Sequence, residues 1–184
     1  MFNQDLKIIH MKVLFIFCFL FCFSSFSQEF KLKAANFGVG VFYAKSHSTT
    51  GYRSLDWGFS WISFFGSLSF NKGEDVYSIK AVSSSELNLF SRPSKVNQIN
   101  IQYSRELFFK RFYIEPFVGG GCLRVQNRSV IKEQNKVFHR VSLPLQLDLG
   151  VKLKNSAALG ISNEYNLNNL AAIYNTYLFV KLYF

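Results

Sequence analysis

Cysteine is scarce in this 184-residue chain, with three residues in all, at positions 18, 22 and 122. The first two lie in an N-terminal apolar stretch treated below, which leaves Cys122 alone. That excludes an intramolecular disulfide framework and any Cys-based zinc cluster. Beyond Gln28 there is no heptad and no run of about 18 apolar residues, so neither a coiled coil nor a spanning helix is expected. A Pro- or Ser-rich linker is also missing, and no second domain is visible. Acidic residues are few, 11 against 21 Lys and Arg. Such a balance can suit nucleic acid. Here the basic residues form no dense run, which reads as a solvated basic surface. No nucleic-acid partner is expected. No metal-ligand cluster or phosphate-cradling loop is present, and no cofactor is expected.

What the chain does have begins at its N-terminus. Met11-Lys12 precedes an apolar run from Val13 to Phe23, followed by Ser24-Ser25-Phe26-Ser27-Gln28. A basic n-region, an apolar core of about 11 residues and small residues at −3 and −1 (Ser25, Ser27) read as a signal peptide over 1–27, cleaved after Ser27. The core is too short for a stable spanning helix of about 20 residues. Lipidation fits poorly, because Phe precedes both Cys18 and Cys22. Met1 through His10 reads either as an extended n-region or as sequence ahead of a start at Met11. The expected mature domain, residues 28–184, keeps 19 basic against 10 acidic residues and is long enough for one sizeable core.

In that domain apolar residues alternate with small or polar ones, the period of a β-strand. Val141, Leu143, Leu145, Leu147, Leu149 and Val151 oppose Ser142, Pro144, Gln146, Asp148, Gly150 and Lys152. Ile99, Ile101 and Tyr103, then Leu159 and Ile161, then Phe37, Val39, Val41 and Tyr43, repeat the pattern. The polar faces carry Gly, Ser, Asn and Gln with isolated charges, not the Lys, Glu and Thr of a soluble sandwich. That composition suits a narrow hydrated lumen behind a lipid-facing wall. Residues 57–70 alternate too weakly for inside and outside to be assigned. Candidate strands run over 29–44, 55–70, 75–83, 96–107, 111–125, 138–152, 156–166 and 170–184, eight in number. Long polar connections (45–54, 84–95, 126–137 and the short 167–169) alternate with tight ones (71–74, 107–110, 153–155). External loops and periplasmic turns of an up-and-down antiparallel transmembrane barrel alternate in this way.

The closing segment Tyr177-Leu178-Phe179-Val180-Lys181-Leu182-Tyr183-Phe184 resembles the last strand of outer-membrane β-barrel proteins. At the level of pattern the mature chain is similar to small OmpA- or OmpX-like barrels and to the "outer membrane protein beta-barrel" families. The resemblance implies outer-membrane localisation in a Gram-negative envelope. It also implies contact with outer-membrane lipids and lipopolysaccharide, and recognition of Phe184 by the barrel-assembly machinery. Aromatic girdles are expected at both water interfaces, with Phe184 and Phe112 near the periplasmic ends and Tyr43, Tyr103 and Tyr174 elsewhere on outward faces.

Eight strands leave a lumen that side chains fill, which argues against a general pore. Parity points Lys80, Glu106, Glu115, Asp148, Glu164 and Lys181 inward, a mixed-charge set expected to pair. Arg124, Arg128, Lys132, Lys136 and Arg140 cluster around the third long loop, where they could contact lipopolysaccharide phosphates. The reading is a non-enzymatic barrel serving envelope integrity, adhesion or surface binding through its loops. One alternative is a lipid-modifying barrel enzyme using His47 or His139; a second is a secreted lipocalin-like binder. His139 and Ser142 are three apart and point to opposite faces of a regular strand, so that Ser-His pairing fails. Gly119-Gly120-Gly121 lies inside a strand pattern and is read as relieving crowding or bending the barrel. Oligomeric state is not legible.

Overall fold

The computed structural model describes residues 30–46, 61–86, 95–128, 135–154, 156–169 and 171–184. Eight strands follow one another: β1 (Lys31–Ser46), β2 (Trp61–Lys72), β3 (Asp75–Glu86), β4 (Lys95–Arg105), β5 (Phe112–Arg128), β6 (Asn135–Lys154), β7 (Ala157–Leu167) and β8 (Ala171–Tyr183). After a break at Glu106, β4 resumes as the short segment Leu107–Phe109, which pairs with β5 alone. Each strand bonds to its neighbours in sequence, and β1 pairs antiparallel with β8 from Ala34↔Tyr183 to Ser46↔Ala171, which closes an all-β up-and-down barrel. No helix among the described residues is long and apolar enough to cross a membrane, which says nothing of strands.

At one end, hereafter the turn end, three two-residue hairpins join the strands. Lys72 pairs with Asp75 around Gly73-Glu74, and Phe109 pairs with Phe112 around Lys110-Arg111. Lys154 pairs with Ala157, with a register shift between Lys152 and Lys154. Gly73 takes φ +64°, and Lys110 takes φ +62° at the same place in its own hairpin. Glycine is the residue that adopts such a backbone without a Cβ clash, so Lys110 is held at a cost. The ladder before the second tight turn therefore ends at Phe109, two residues beyond the expected strand end at 107. At the loop end the strands run further than the sequence suggests: 84–86, 126–128 and 135–137 are ladder, not loop.

Side chains sort by parity. Phe37, Val39, Val41, Ile99, Ile101, Leu143, Leu145, Leu147, Leu178 and Val180 are exposed on the outer wall. The weakly patterned β2 resolves as Ser63, Phe65, Ser67 and Ser69 inward and Phe64 and Leu68 outward. Phe65 fits because β1 offers Gly38, where a Cβ would lie 2.2 Å from the Phe65 ring. Gly119 and Gly121 likewise face inward, and a Cβ at either would come 2.2 Å from an oxygen of β4, whereas one at Gly120 would meet nothing within 4 Å. Crowding is what the inward pair relieves.

Outward aromatics gather in two bands. Tyr43, Tyr174 and Tyr165 adjoin at the loop end, with ring centroids 6.2 and 4.5 Å apart. Tyr77 and Tyr103 meet edge-on at 5.7 Å near the turn end, where Phe109, Phe112 and Phe184 are also exposed.

Candidate functional site

The interior is layered. Nearest the loop end, Phe42, Val96, Leu123, Val125 and Ile173 form an apolar cluster against which Phe138 packs. A second cluster, Phe65, Val82, Tyr113, Ala158, Tyr177 and Phe179, lies deeper. Large side chains on eight short strands thus fill the bore. Between and below them sit polar groups that must find partners, because an unpaired buried dipole costs about 1–3 kcal/mol. Asn166 donates to Gln98 at 2.7 Å and Ser142 to Asn100 at 3.2 Å. Ser63 bonds both Ser84 and Tyr177.

The charged set divides into two groups. In the first, Lys80 Nζ donates to Glu164 Oε2 at 2.6 Å and to Gln146 Oε1 at 2.7 Å. The ammonium also lies 4.4 Å from the centre of the Phe65 ring and 4.9 Å from that of Tyr177, so aromatic faces complete its shell. Both charged side chains are essentially dry, at 1% and 0% exposure. In the second group, Lys181 Nζ bridges Glu115 and Glu106. Ser104 donates to Glu115 at 2.9 Å and Tyr183 to Glu106 at 2.6 Å. Lys33, at the turn-end rim, completes it with a 2.7 Å contact to Glu106.

Five of the six inward charges named from sequence therefore take part in ion pairs. Asp148 differs: among the described residues it makes no ion pair, accepts a 2.7 Å bond from Gln146, and leaves Oδ2 without a protein donor. Parity reveals that a residue points inward but not its height, and Asp148 sits opposite Glu115, an acid already claimed by Lys181. Lys33 and Gln146 were not singled out by sequence. Gln146 lies on the polar face of a clearly alternating strand and was findable, whereas Lys33 has outward parity and reaches Glu106 only around the rim.

The basic residues named around the third long loop do not share one strand face. Arg124 pairs in register with His139 on the outer face, whereas Arg140 pairs with Leu123, whose side chain is buried inside. Opposite parity separates the two arginines, and Arg140 donates to the His139 carbonyl at 2.9 Å. Arg128 and Lys136 lie on strand backbone opposite Asn135 and Asn127. Lys132 falls outside the described residues, as does His47. Exposed His139 and buried Ser142 lie on opposite faces. At the turn-end rim, Asp75 accepts from Tyr103 at 2.8 Å and Arg105 at 3.0 Å, and these bonds hold its carboxyl below the usual carboxylate range.

No family model matches the chain, and no curated protein matches it in sequence. Solved structures do match in fold. Neisserial surface protein A superposes with TM-score 0.59 at 11% identity, covering 84% of this chain and 99% of that one. Ail, the attachment invasion locus protein of Yersinia pestis, gives 0.57 at 11%, covering 84% of this chain and 100% of the other. The N-terminal β-barrel domain of Pseudomonas aeruginosa OprF gives 0.53 at 10%, covering 83% and 97%. At such identities the likeness speaks for architecture, and the architecture of this chain is that of the small, OmpA- or OmpX-like eight-stranded barrels.

Proposed function

We propose that this chain is an integral outer-membrane β-barrel, exported through a cleaved signal peptide, that serves envelope integrity, adhesion or surface binding through its loop-end segments. The observation that carries this reading is the inversion of the usual pattern. A closed barrel exposes Leu, Ile, Val and Phe around its whole outer wall and buries Ser, Asn, Gln, Lys and Glu within. In water such an apolar belt far exceeds the few hundred Å² that a monomer ordinarily exposes. In lipid it is the expected wall, and closure leaves the wall no long unpaired edge. Strands of 11 to 20 residues exceed the 9–11 needed to span when tilted. The filled interior argues against bulk diffusion as the role. Lipids and lipopolysaccharide are the partners this reading supplies, and Phe184, exposed at the end of β8, is the position from which the assembly machinery would read the strand.

Fractionation with heat-modifiable gel migration tests it. The chain should be recovered in the outer-membrane fraction and migrate differently before and after boiling. Recovery in the periplasm or medium without detergent would overturn the membrane reading in favour of a secreted binder. Replacing His47 and His139 with Ala should leave lipid composition unchanged; altered acylation would instead favour the enzymatic alternative.

A further inference from the structure

Among the described residues, Asp148 is the one inward acid that the ionic groups leave over. Lys33, Lys80 and Lys181 are engaged with Glu106, Glu115 and Glu164. Lys80 reaches Asp148 only through Gln146, which accepts from the ammonium and donates to Asp148 Oδ1. Lys152, the next inward lysine of β6, stands about 13 Å further along the strand, and its ammonium rests on the Phe108 and Tyr183 rings at 3.8 and 4.5 Å. Asp148 Oδ2 has no donor, and two other buried oxygens, Ser162 Oγ and Tyr113 Oη, also lack a protein partner. Ser162 lies directly opposite Asp148 across the β6–β7 ladder. Tyr113 belongs to β5, but Gly150, the inward position of β6 next to Asp148, lets its ring lie over β6. The hydroxyl is 2.7 Å from where a Gly150 Cβ would stand. All three residues are at most 1% exposed.

Three oxygens from three adjacent strands thus gather on one stretch of dry inner wall, with one uncompensated negative charge among them. A water molecule would satisfy their hydrogen bonds but not the charge, and a carboxylate buried without a counter-charge is costly. The donor set narrows what supplies that charge. Carboxylate and hydroxyl oxygens suit a hard cation. No three acids, histidines or cysteines come together among the described residues, and Glu115, which pairs with Asp148 across the β5–β6 ladder, is held by Lys181 and Ser104. One free carboxylate balances a single positive charge and falls short of a divalent ion. We propose that Asp148, Ser162 and Tyr113 form an internal site for one small monovalent metal cation, which neutralises Asp148 as the barrel closes around it. The site lies within the closed barrel and does not depend on what the outer wall meets.

The test uses the full barrel, titrated with urea in NaCl or in choline chloride at equal ionic strength and constant pH, with folded fraction read from the heat-dependent gel shift. Choline is too large to sit among three buried oxygens and so controls for screening. An ion bound by the folded state alone stabilises by mass action. Each tenfold rise in Na⁺ above its dissociation constant should therefore raise the folding equilibrium constant about tenfold, the signature of one ion per barrel. Asp148→Asn removes the charge and should erase the Na⁺ dependence while keeping the gel shift. Tyr113→Phe removes one oxygen and should move the dependence to about tenfold higher Na⁺. Broadening of the sodium NMR line by folded wild type, absent with Asp148→Asn, reads the ion directly. Equal urea midpoints in NaCl and choline chloride would overturn the site and leave Asp148 to water or a proton. A Na⁺ dependence that survives both substitutions would overturn it as well.

Discussion

Replacing Lys80 with Met removes the centre of the deeper ionic group. The substitution keeps the length of the stem and its place beside Phe65 and Tyr177 but deletes the contacts to Glu164 at 2.6 Å and Gln146 at 2.7 Å. Glu164 is then left dry, with only a 3.3 Å bond from Asn175. Removing one member of a buried pair costs about 3–5 kcal/mol, because the surviving charge is uncompensated. At about 1.4 kcal/mol per tenfold, that is roughly two to four powers of ten in the folding equilibrium. The pair as a whole is worth much less than this, since its attraction is spent against desolvation. The double change Lys80→Met with Glu164→Gln should therefore recover most of the loss. Urea titration of the barrel in lipid vesicles, with folded fraction read from the gel shift, measures all four corners of the cycle. A Lys80→Met cost below about 1 kcal/mol, or a double variant no more stable than the single one, would refute the reasoning.

Three further outcomes follow from the same coordinates. Gly150→Ala places a Cβ 2.3 Å from the Tyr113 ring and should cost about 1–3 kcal/mol by overpacking, whereas Gly120→Ala should stay within about 0.5 kcal/mol in the same urea titration. Lys110→Gly should raise the urea midpoint, because it relieves a left-handed residue worth about 1 kcal/mol. The bonds from Tyr103 and Arg105 depress the Asp75 carboxyl, so their contribution is fully present above the unfolded aspartate value of about 3.9 and fades as pH falls through the lower folded value. Asp75→Asn should flatten that acid-side slope, which pH-dependent unfolding midpoints will show.

The barrel was legible wherever one side chain in two had a single task. In β6, Val141 through Val151 meet only the outer medium and Ser142 through Lys152 only the interior, so the period survives in the sequence. It fails in β2 because Phe65 breaks an inward run of serines, and the space that admits it is vacated by Gly38 on another strand. Strand ends were misjudged for a related reason. Polar residues such as Ser84 and Ser85, which look like loop, pair with Val96 and Lys95 and continue the ladder. Within the lumen, parity identified which charges point inward but could not choose partners, because Lys80 and Glu164 are 84 positions apart and meet only once strand heights are set. The arginines at 124 and 140 were near each other in the hairpin, and that proximity concealed their opposite faces.

The seam between β1 and β8 has a consequence for how the chain must be put together. It joins two strands near opposite ends of the described chain over a 13-residue ladder, and the cross-lumen pairs of Lys80 with Glu164 and of Lys181 with Glu115 have no partners until it is made. A sheet still open would carry two long bare edges and a polar lining facing whatever surrounds it, in lipid the least tolerable arrangement for both. Pairing at such sequence separation is slow. Curling, closure and assembly of the ionic groups are therefore one event, and a chain shortened within β8 would lose the barrel as a whole, not one-eighth of its stability.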